Sequence, residues 1–385
     1  MPLTLFFQSD INDPYKLYGT MLRENPVYWD EHNKLWAVYA YKDCVSILCN
    51  STAHIPAINV ENNDRLSEYA MLITDQLARL NNGSQHEIAR QAAMLLAGKM
   101  KPVSINNILE KLIGTGETDW VDAVCKKLPA MAVLKSFDFS KEDTDLITGK
   151  ITALVKIMLP YKTSEEVKEI NEISREIYAV IEKHLLMTAF LAPVIVLLTE
   201  KHKIEHSHAI ALCVSNLIGL VIQSYDAGRG ILSNALLQML NKKNSSHTDF
   251  VSKLFLEKNI IETLRFDPPV QNTRRIARSA ILLPNARIKK GETIVVVLAA
   301  ANRDPDQFHH PDIYDIERTN NNEHLTFGIG NHMCVAKHFS AGLATAAFSC
   351  LFERFKKISL LETDLQYEPL INIRLPKRML ISVES

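Results

Sequence analysis

Phe327-Gly328-Ile329-Gly330-Asn331-His332-Met333-Cys334-Val335-Ala336 decides how this chain is read, because it sets one thiol on a glycine-rich loop just ahead of a helix-forming run. The two glycines take backbone angles closed to other residues and let the main chain approach a flat ligand closely, while Phe327 packs beside the sulfur. The following run, Ala336-Lys337-His338-Phe339-Ser340-Ala341-Gly342-Leu343-Ala344-Thr345-Ala346-Ala347-Phe348, is rich in alanine and predicts a helix. Near a helix N-terminus the dipole and the free amides stabilise negative sulfur. An isolated cysteine is ordinarily a small core residue. In this setting Cys334 reads as a metal ligand.

The loop resembles the haem-binding loop of the cytochrome P450 family, whose signature is Phe, two Gly, a basic residue two before the Cys and a small residue two after it. His332 and Ala336 take the last two places, Ala336 standing where glycine is commoner and adding one methyl group. The resemblance implies that the Cys334 sulfur binds the iron of haem b (iron protoporphyrin IX), with Phe327, Gly328, His332 and Ala336 around the cofactor.

Upstream, Ile260-Ile261-Glu262-Thr263-Leu264-Arg265-Phe266-Asp267-Pro268-Pro269 places an acid and a base three apart on a helix that stops at the prolines, so the two share a face and can pair. By resemblance this is the family's buried Glu-x-x-Arg, with Arg318 of Asp315-Ile316-Glu317-Arg318 as third member and a structural role in holding the Cys loop. Pro269-Val270-Gln271-Asn272-Thr273-Arg274-Arg275-Ile276-Ala277 then reads as an extended segment with Thr273 and Arg275 on one side. The resemblance implies that Arg275, rather than its neighbour Arg274, reaches a haem propionate. Ala299-Ala300-Ala301-Asn302-Arg303-Asp304-Pro305 and Phe308-His309-His310-Pro311-Asp312-Ile313-Tyr314 match the family's meander toward the cysteine, and the adjacent histidines before a proline read as turn surface rather than metal ligands. In His86-Glu87-Ile88-Ala89-Arg90, two basic groups lie one helical turn apart and can point at a single anion. Asn82-Gly83-Ser84-Gln85 supplies the turn and cap before them. In the family this pair contacts the propionates, so His86, Arg90, Arg275 and His332 would face two carboxylates.

The pattern departs from the family in one place. Residues 209–240 are apolar almost all round, as in a buried central helix. Here the family carries Ala/Gly-Gly-x-Asp/Glu-Thr, a locally opened turn whose acid and hydroxyl manage the protons that oxygen reduction consumes. Aligning Asp226 with the acid puts Ala227 at the threonine, whereas a shifted register puts Gly230 and Ile231 at those positions. Neither gives a threonine. A substrate hydroxyl, a water held by Ser224 or Tyr225, or Asp226 itself would have to supply the proton. Arg229 reads as an i,i+3 partner of Asp226 or an outward side chain, and a sharper reading has it hold a substrate carboxylate as in peroxide-using relatives.

At 385 residues and 47% hydrophobic, with no Pro/Gly/Ser-rich linker, the chain is expected to form one domain over residues 1–385. The family implies a mainly α fold, a large helical domain with a small β-sheet region. Lysine and arginine total 43 against 44 acids, so no basic field suggests nucleic acid, and Lys242-Lys243 and Lys289-Lys290 read as solvated. The six cysteines show no Cys-x-x-Cys pair or framework spacing, which points to a reducing cytoplasm. The first eight residues lack the charge and length of a signal peptide or anchor, and the apolar run 185–199 is short of a span and broken by Pro193, so it reads as buried helix and no membrane anchor is expected. Val27-Tyr28-Trp29-Asp30 and Leu35-Trp36-Ala37-Val38-Tyr39-Ala40 predict a hairpin, and Ile294-Val295-Val296-Val297-Leu298 a buried strand.

These readings imply a haem-thiolate monooxygenase that inserts one oxygen atom from O2 into an organic substrate of secondary-metabolite or lipid-like kind. Its electrons would come from a separate ferredoxin or flavodoxin with its reductase, docking near Lys337. The alternatives are a haem-thiolate enzyme working without the usual proton relay (peroxygenase, oxidative coupling, isomerase), a non-catalytic haem protein, and a zinc site at His332 and Cys334. By resemblance, residues 55–80, 157–163, 223–227, 270–273 and 370–373 face the substrate.

Overall fold

Side-chain caps and prolines set the ends of the helix that matters most for the thiol loop. Lys253–Phe266 starts where the Phe255 N–H donates to the Ser252 hydroxyl, and it stops at Asp267, since Pro268 and Pro269 cannot continue a helical hydrogen-bond ladder. The computed structural model describes residues 4–60, 65–159, 161–241 and 250–385. Residues 1–3, 61–64, Pro160 and Lys242-Lys243 lie outside the described residues.

The chain divides into two compact units. The first comprises Met1–His54, Ser104–Leu128 and Asp226–Ser385. It holds a five-stranded sheet in the order Val27–Asp30, Leu35–Val38, Thr293–Val296, Thr273–Ala277, Ala53–His54. The expected hairpin is antiparallel, with Trp29 opposite Trp36 and their rings 5.4 Å apart. Thr293–Val296 runs parallel to Leu35–Val38 and antiparallel to Thr273–Ala277. Because side chains alternate along a strand, Val38, Ile294 and Val296 enter one apolar cluster while Ala37 and Val295 enter another on the opposite face. The strand is shorter than expected: it ends at Val296, and Leu298–Ala301 turns into helix, the conformation its alanines favour. Lys337–Arg354 is the helix after the thiol loop.

The second unit comprises Ile55–Val103 and Pro129–Tyr225 and is mostly helical, with Gly83–Ala97, Lys141–Leu154 and Ser164–Met187 as its main rods. Ser164–Met187 opens on a full capping box between Thr163 and Glu166. The run 185–199 departs from the buried helix expected of it. It bends by 93° between Met187 and Ala192, and one side is exposed, Met187 at 75% and Leu197 at 48%, while Leu191, Val194, Ile195 and Leu198 are buried. Continuous apolarity concealed that only one face packs.

His206–Asn241 is 36 residues long and apolar enough to cross a bilayer by length and composition; 67% of its most apolar window is buried inside the protein, the setting of a core helix.

Candidate active site

The loop carrying Cys334 has the backbone its glycines allow. Gly328 sits at φ 67° and Gly330 at φ 74°, both left-handed, and Cys334 N–H donates to the Phe327 carbonyl at 2.9 Å, closing the loop on itself. The two glycines differ in what surrounds them. A Cβ on Gly330 would lie 2.9 Å from the Leu48 carbonyl oxygen, so that glycine lets the loop press against the Tyr41–Cys49 helix. A Cβ on Gly328 would touch only the loop's own backbone, the His332 carbonyl oxygen at 3.8 Å and Met333 Cα at 3.9 Å, so that glycine is needed for its left-handed φ rather than for space. Ala336 has φ −103°, where a glycine is not required, so its departure from the family pattern costs no backbone strain. It caps Lys337–Arg354, and Cys334 therefore stands three residues ahead of an 18-residue helix.

A buried polar clamp holds the segment that leads into the loop. Arg265 donates through Nε and Nη2 to the two oxygens of Glu262 at 2.9 and 2.6 Å, with both side chains fully buried. Its Nη1 reaches the carbonyls of Asn302 and Pro311, each at 2.9 Å. Glu262 also accepts from the Asp315 N–H at 3.0 Å and has Arg318 Nε at 3.5 Å, while Arg318 donates to the His309 and His310 carbonyls at 2.5 and 3.1 Å. The fully buried pair thus has hydrogen-bond partners for its charged groups, as a buried charge requires. The structure brings Glu262, Arg265 and Arg318 together. The two histidine side chains are exposed, and it is their backbone carbonyls that contribute.

Sequence reasoning missed the second half of this clamp. Asn302, fully buried, accepts from the Leu325 N–H at 2.7 Å and donates to Thr326 Oγ1 at 2.9 Å; Thr326 Oγ1 in turn donates to the Leu264 carbonyl at 2.5 Å. The available signal was a polar Asn-Arg-Asp following three alanines. Next to it, desolvation and the nearby Arg265 and Lys337 charges push the His324 imidazole down to about 3, so it stays neutral, accepting from the Thr326 N–H at Nδ1 and packing on Phe327 with ring centres 5.6 Å apart.

The cationic residues fall in both units. In the first, Arg275 is buried on Thr273–Ala277 and donates to Thr273 Oγ1 and the Arg274 carbonyl, while Arg274 is less covered, and His332 closes the short turn Gly330–His332. In the second, His86 and Arg90 stand one turn apart on Gly83–Ala97, and the His86 ring is fixed by Nδ1–H donating to the Ala78 carbonyl at 2.9 Å. Two pairs of the expected substrate-facing segments are joined by backbone contacts. Asn59–Val60 pairs in parallel with Tyr161–Lys162, and residues 270–272 pair with 371–373 through the Val270–Ile373 bridge and the Gln271 N–H on the Asn372 carbonyl at 2.9 Å.

His206–Asn241 runs through Asp226 and Ala227 as unbroken helix, without the opened turn the resemblance implied; Ala227 has no hydroxyl to draw a backbone carbonyl out of the ladder. The Ser224 hydroxyl donates back to the Val221 carbonyl at 2.7 Å, and Tyr225 Oη lies 3.4 Å from Thr152 Oγ1. Gly230 is a packing glycine, since a Cβ there would fall 2.3 Å from Pro269 Cβ. Asp226 is only half-buried by surface, yet enough protein surrounds it that desolvation lifts its carboxyl to about 6, with Arg229 pulling down and Glu368 pushing up. Arg229 is held elsewhere, at 2.6 Å from Glu368 Oε1 and 2.8 Å from the Pro376 carbonyl.

These residues fit a haem. Among the described residues Cys334 is the only thiol on a loop with two left-handed glycines, and burial pushes the Cys44, Cys125 and Cys213 thiols up and keeps them neutral. Among the described residues no group of three or more His, Cys, Asp or Glu could hold a bare metal ion, so a zinc site at His332 and Cys334 has no further ligands.

Comparison with known proteins agrees. The cytochrome P450 family model matches residues 231–376, which include the clamp and the thiol loop. A "Biotin biosynthesis cytochrome P450" of Bacillus subtilis is 23% identical over 398 residues, covering 97% of each chain. "Cytochrome P450 119" of Sulfurisphaera tokodaii is 26% identical, covering 89% of this chain and 91% of its own. The crystal structure of P450BioI in complex with hexadec-9Z-enoic acid ligated acyl carrier protein superposes with a TM-score of 0.81 at 21% identity, over 97% of this chain and 99% of that one. Thiol loop, buried acid–arginine clamp, fold and relatives converge on one conclusion: the chain belongs to the cytochrome P450 family, oxidoreductases that carry haem b.

Proposed function

We propose that this protein is a haem-thiolate monooxygenase acting on an organic substrate of lipid-like or secondary-metabolite kind, and that the 385 residues work as a single domain. The observation that carries the reading is Cys334, presented on a loop closed on itself with two left-handed glycines, ahead of a long helix. Cys334 is the residue that would hold the iron, with Phe327, Gly328, His332 and Ala336 around it and His86, Arg90 and Arg275 as cations for the propionates. A thiolate-ligated haem supplies the oxygen-activating chemistry. The chain's own part is to orient the cofactor, exclude water and supply protons. Engagement of Ser224 and Tyr225, the lack of a threonine at 227 and the raised Asp226 carboxyl support Asp226 as the proton donor.

A lipid-like substrate is supported by the relative whose structure holds an acyl-carrier-protein-bound hexadec-9Z-enoic acid. Electrons would come from a separate ferredoxin or flavodoxin with its reductase, docking near Lys337 at the start of Lys337–Arg354. A reducing, cytoplasmic location is supported by six free cysteines. The second reading, a peroxide-driven or otherwise relay-free enzyme, is favoured by Ala227 but opposed by Arg229, which is committed to Glu368 rather than open to a substrate carboxylate. Turnover assays separate the two. Product formed only with reductant, O2 and an electron carrier is expected; equal turnover with peroxide alone would overturn the monooxygenase reading.

A further inference from the structure

Arg229 and Glu368 are 139 residues apart in sequence and form a nearly buried ion pair, with their side chains 6% and 27% exposed. The loop that carries Glu368 is tied down at several points: Glu368 N–H donates to the Leu375 carbonyl and Lys377 N–H to the Gln366 carbonyl, each at 2.8 Å. It is pressed to the helix at Gly230, where an added Cβ would lie 2.7 Å from Leu375 Cδ2. Arg229 spends Nη2 on Glu368 and the Pro376 carbonyl, and its Nε is buried with no hydrogen-bond partner. Asp226 lies three residues earlier, on the same face of the helix, so the guanidinium is within electrostatic reach of the carboxyl while turned toward the loop.

We propose that Glu368 is a positioning residue for proton delivery: by holding and neutralising Arg229, it keeps that positive charge from ionising Asp226, and so preserves Asp226 as an acid. The inference rests on the reading of Asp226 as proton donor. The charged groups acting on Asp226 are Arg229 from its own helix and Glu368 from the 366–376 loop; the Cys125 thiol, which faces Arg229 from Val121–Cys125, is kept neutral by burial. Removing Glu368 deletes a like charge and frees an opposite one, and both changes draw the Asp226 proton off more easily. Removing Arg229 acts the other way.

The test uses the haem-loaded protein and an infrared titration of the protonated carboxyl band that disappears in Asp226→Asn. Glu368→Gln keeps a hydrogen-bonding side chain and is expected to lower the midpoint by about one pH unit, and Arg229→Gln to raise it. Midpoints that stay put, or that move in the same direction in both variants, overturn the proposal, because a loop-tying role alone predicts no opposed shifts. The acid role is tested separately by coupling of reductant use to product in Asp226→Asn. Unchanged coupling beside opposed shifts would overturn the donor assignment while leaving the charge relation standing.

Discussion

The thiol loop and the helix segment around Asp226 lie in the same chain, yet they are built by opposite means. The loop is local: ten consecutive residues set its glycines, its cysteine and its helix, and a clamp of full-strength hydrogen bonds fixes it from one neighbouring helix. The acid's setting is assembled from afar, with a regular helix supplying Asp226 and Arg229 and a loop near the C-terminus supplying Glu368. Chemistry that needs one atom in one place is written compactly, whereas chemistry that needs a tuned charge is spread over distant segments.

The comparison is tested first where the loop side should be most fragile. Arg265→Met leaves the Glu262 carboxylate fully buried with its bidentate partner gone, an expected loss of roughly 3–5 kcal/mol. Urea denaturation and haem content measured together check this, and near-parental stability would show that the clamp does not hold the loop.

A smaller effect separates the loop's glycines from helical ones. Gly330→Ala adds a Cβ 2.9 Å from the Leu48 oxygen at φ 74°, for which about 1–3 kcal/mol of destabilisation is expected. Gly342→Ala, on the exposed face of Lys337–Arg354 with nothing within 4 Å, should stabilise by about 0.5–1 kcal/mol. Equal thermal midpoints for the two variants would erase the distinction.

On the acid's side, the effect depends on pH. The Asp226 carboxyl ionises near 4 in an unfolded chain and at about 6 in the fold. Its contribution to stability is therefore full below pH 4 and is lost as the pH rises through 6. Asp226→Asn removes that loss, so the variant should gain on the parent above pH 6 by on the order of 1–2 kcal/mol, discounted because the side chain is half-buried. Denaturation midpoints at pH 5 and pH 7.5 measure it, and a gain that is the same at both contradicts the upward shift of the Asp226 carboxyl.

Much of the first region was legible in the sequence. Pro268 and Pro269 mark the end of their helix, Glu262 and Arg265 share a face by spacing, and strand alternation separates Arg275 from Arg274. What stayed hidden depends on tertiary contact. Asn302 and Thr326 form the rest of the clamp through partners more than twenty residues away, and nothing near Arg229 announces Glu368. The run 185–199 misled because apolar composition does not say how many faces pack. The opened turn expected at 226–227 came from the family's threonine, which this chain lacks, and the ladder there stays closed.

The claim beneath the whole account is that the Cys334 sulfur ligates haem iron. The direct measurement is the absorption spectrum of the reduced carbon monoxide complex of the parent and of Cys334→Ala. The parent should show the red-shifted thiolate band and the variant should lack it; a variant that retains the band would contradict the assignment.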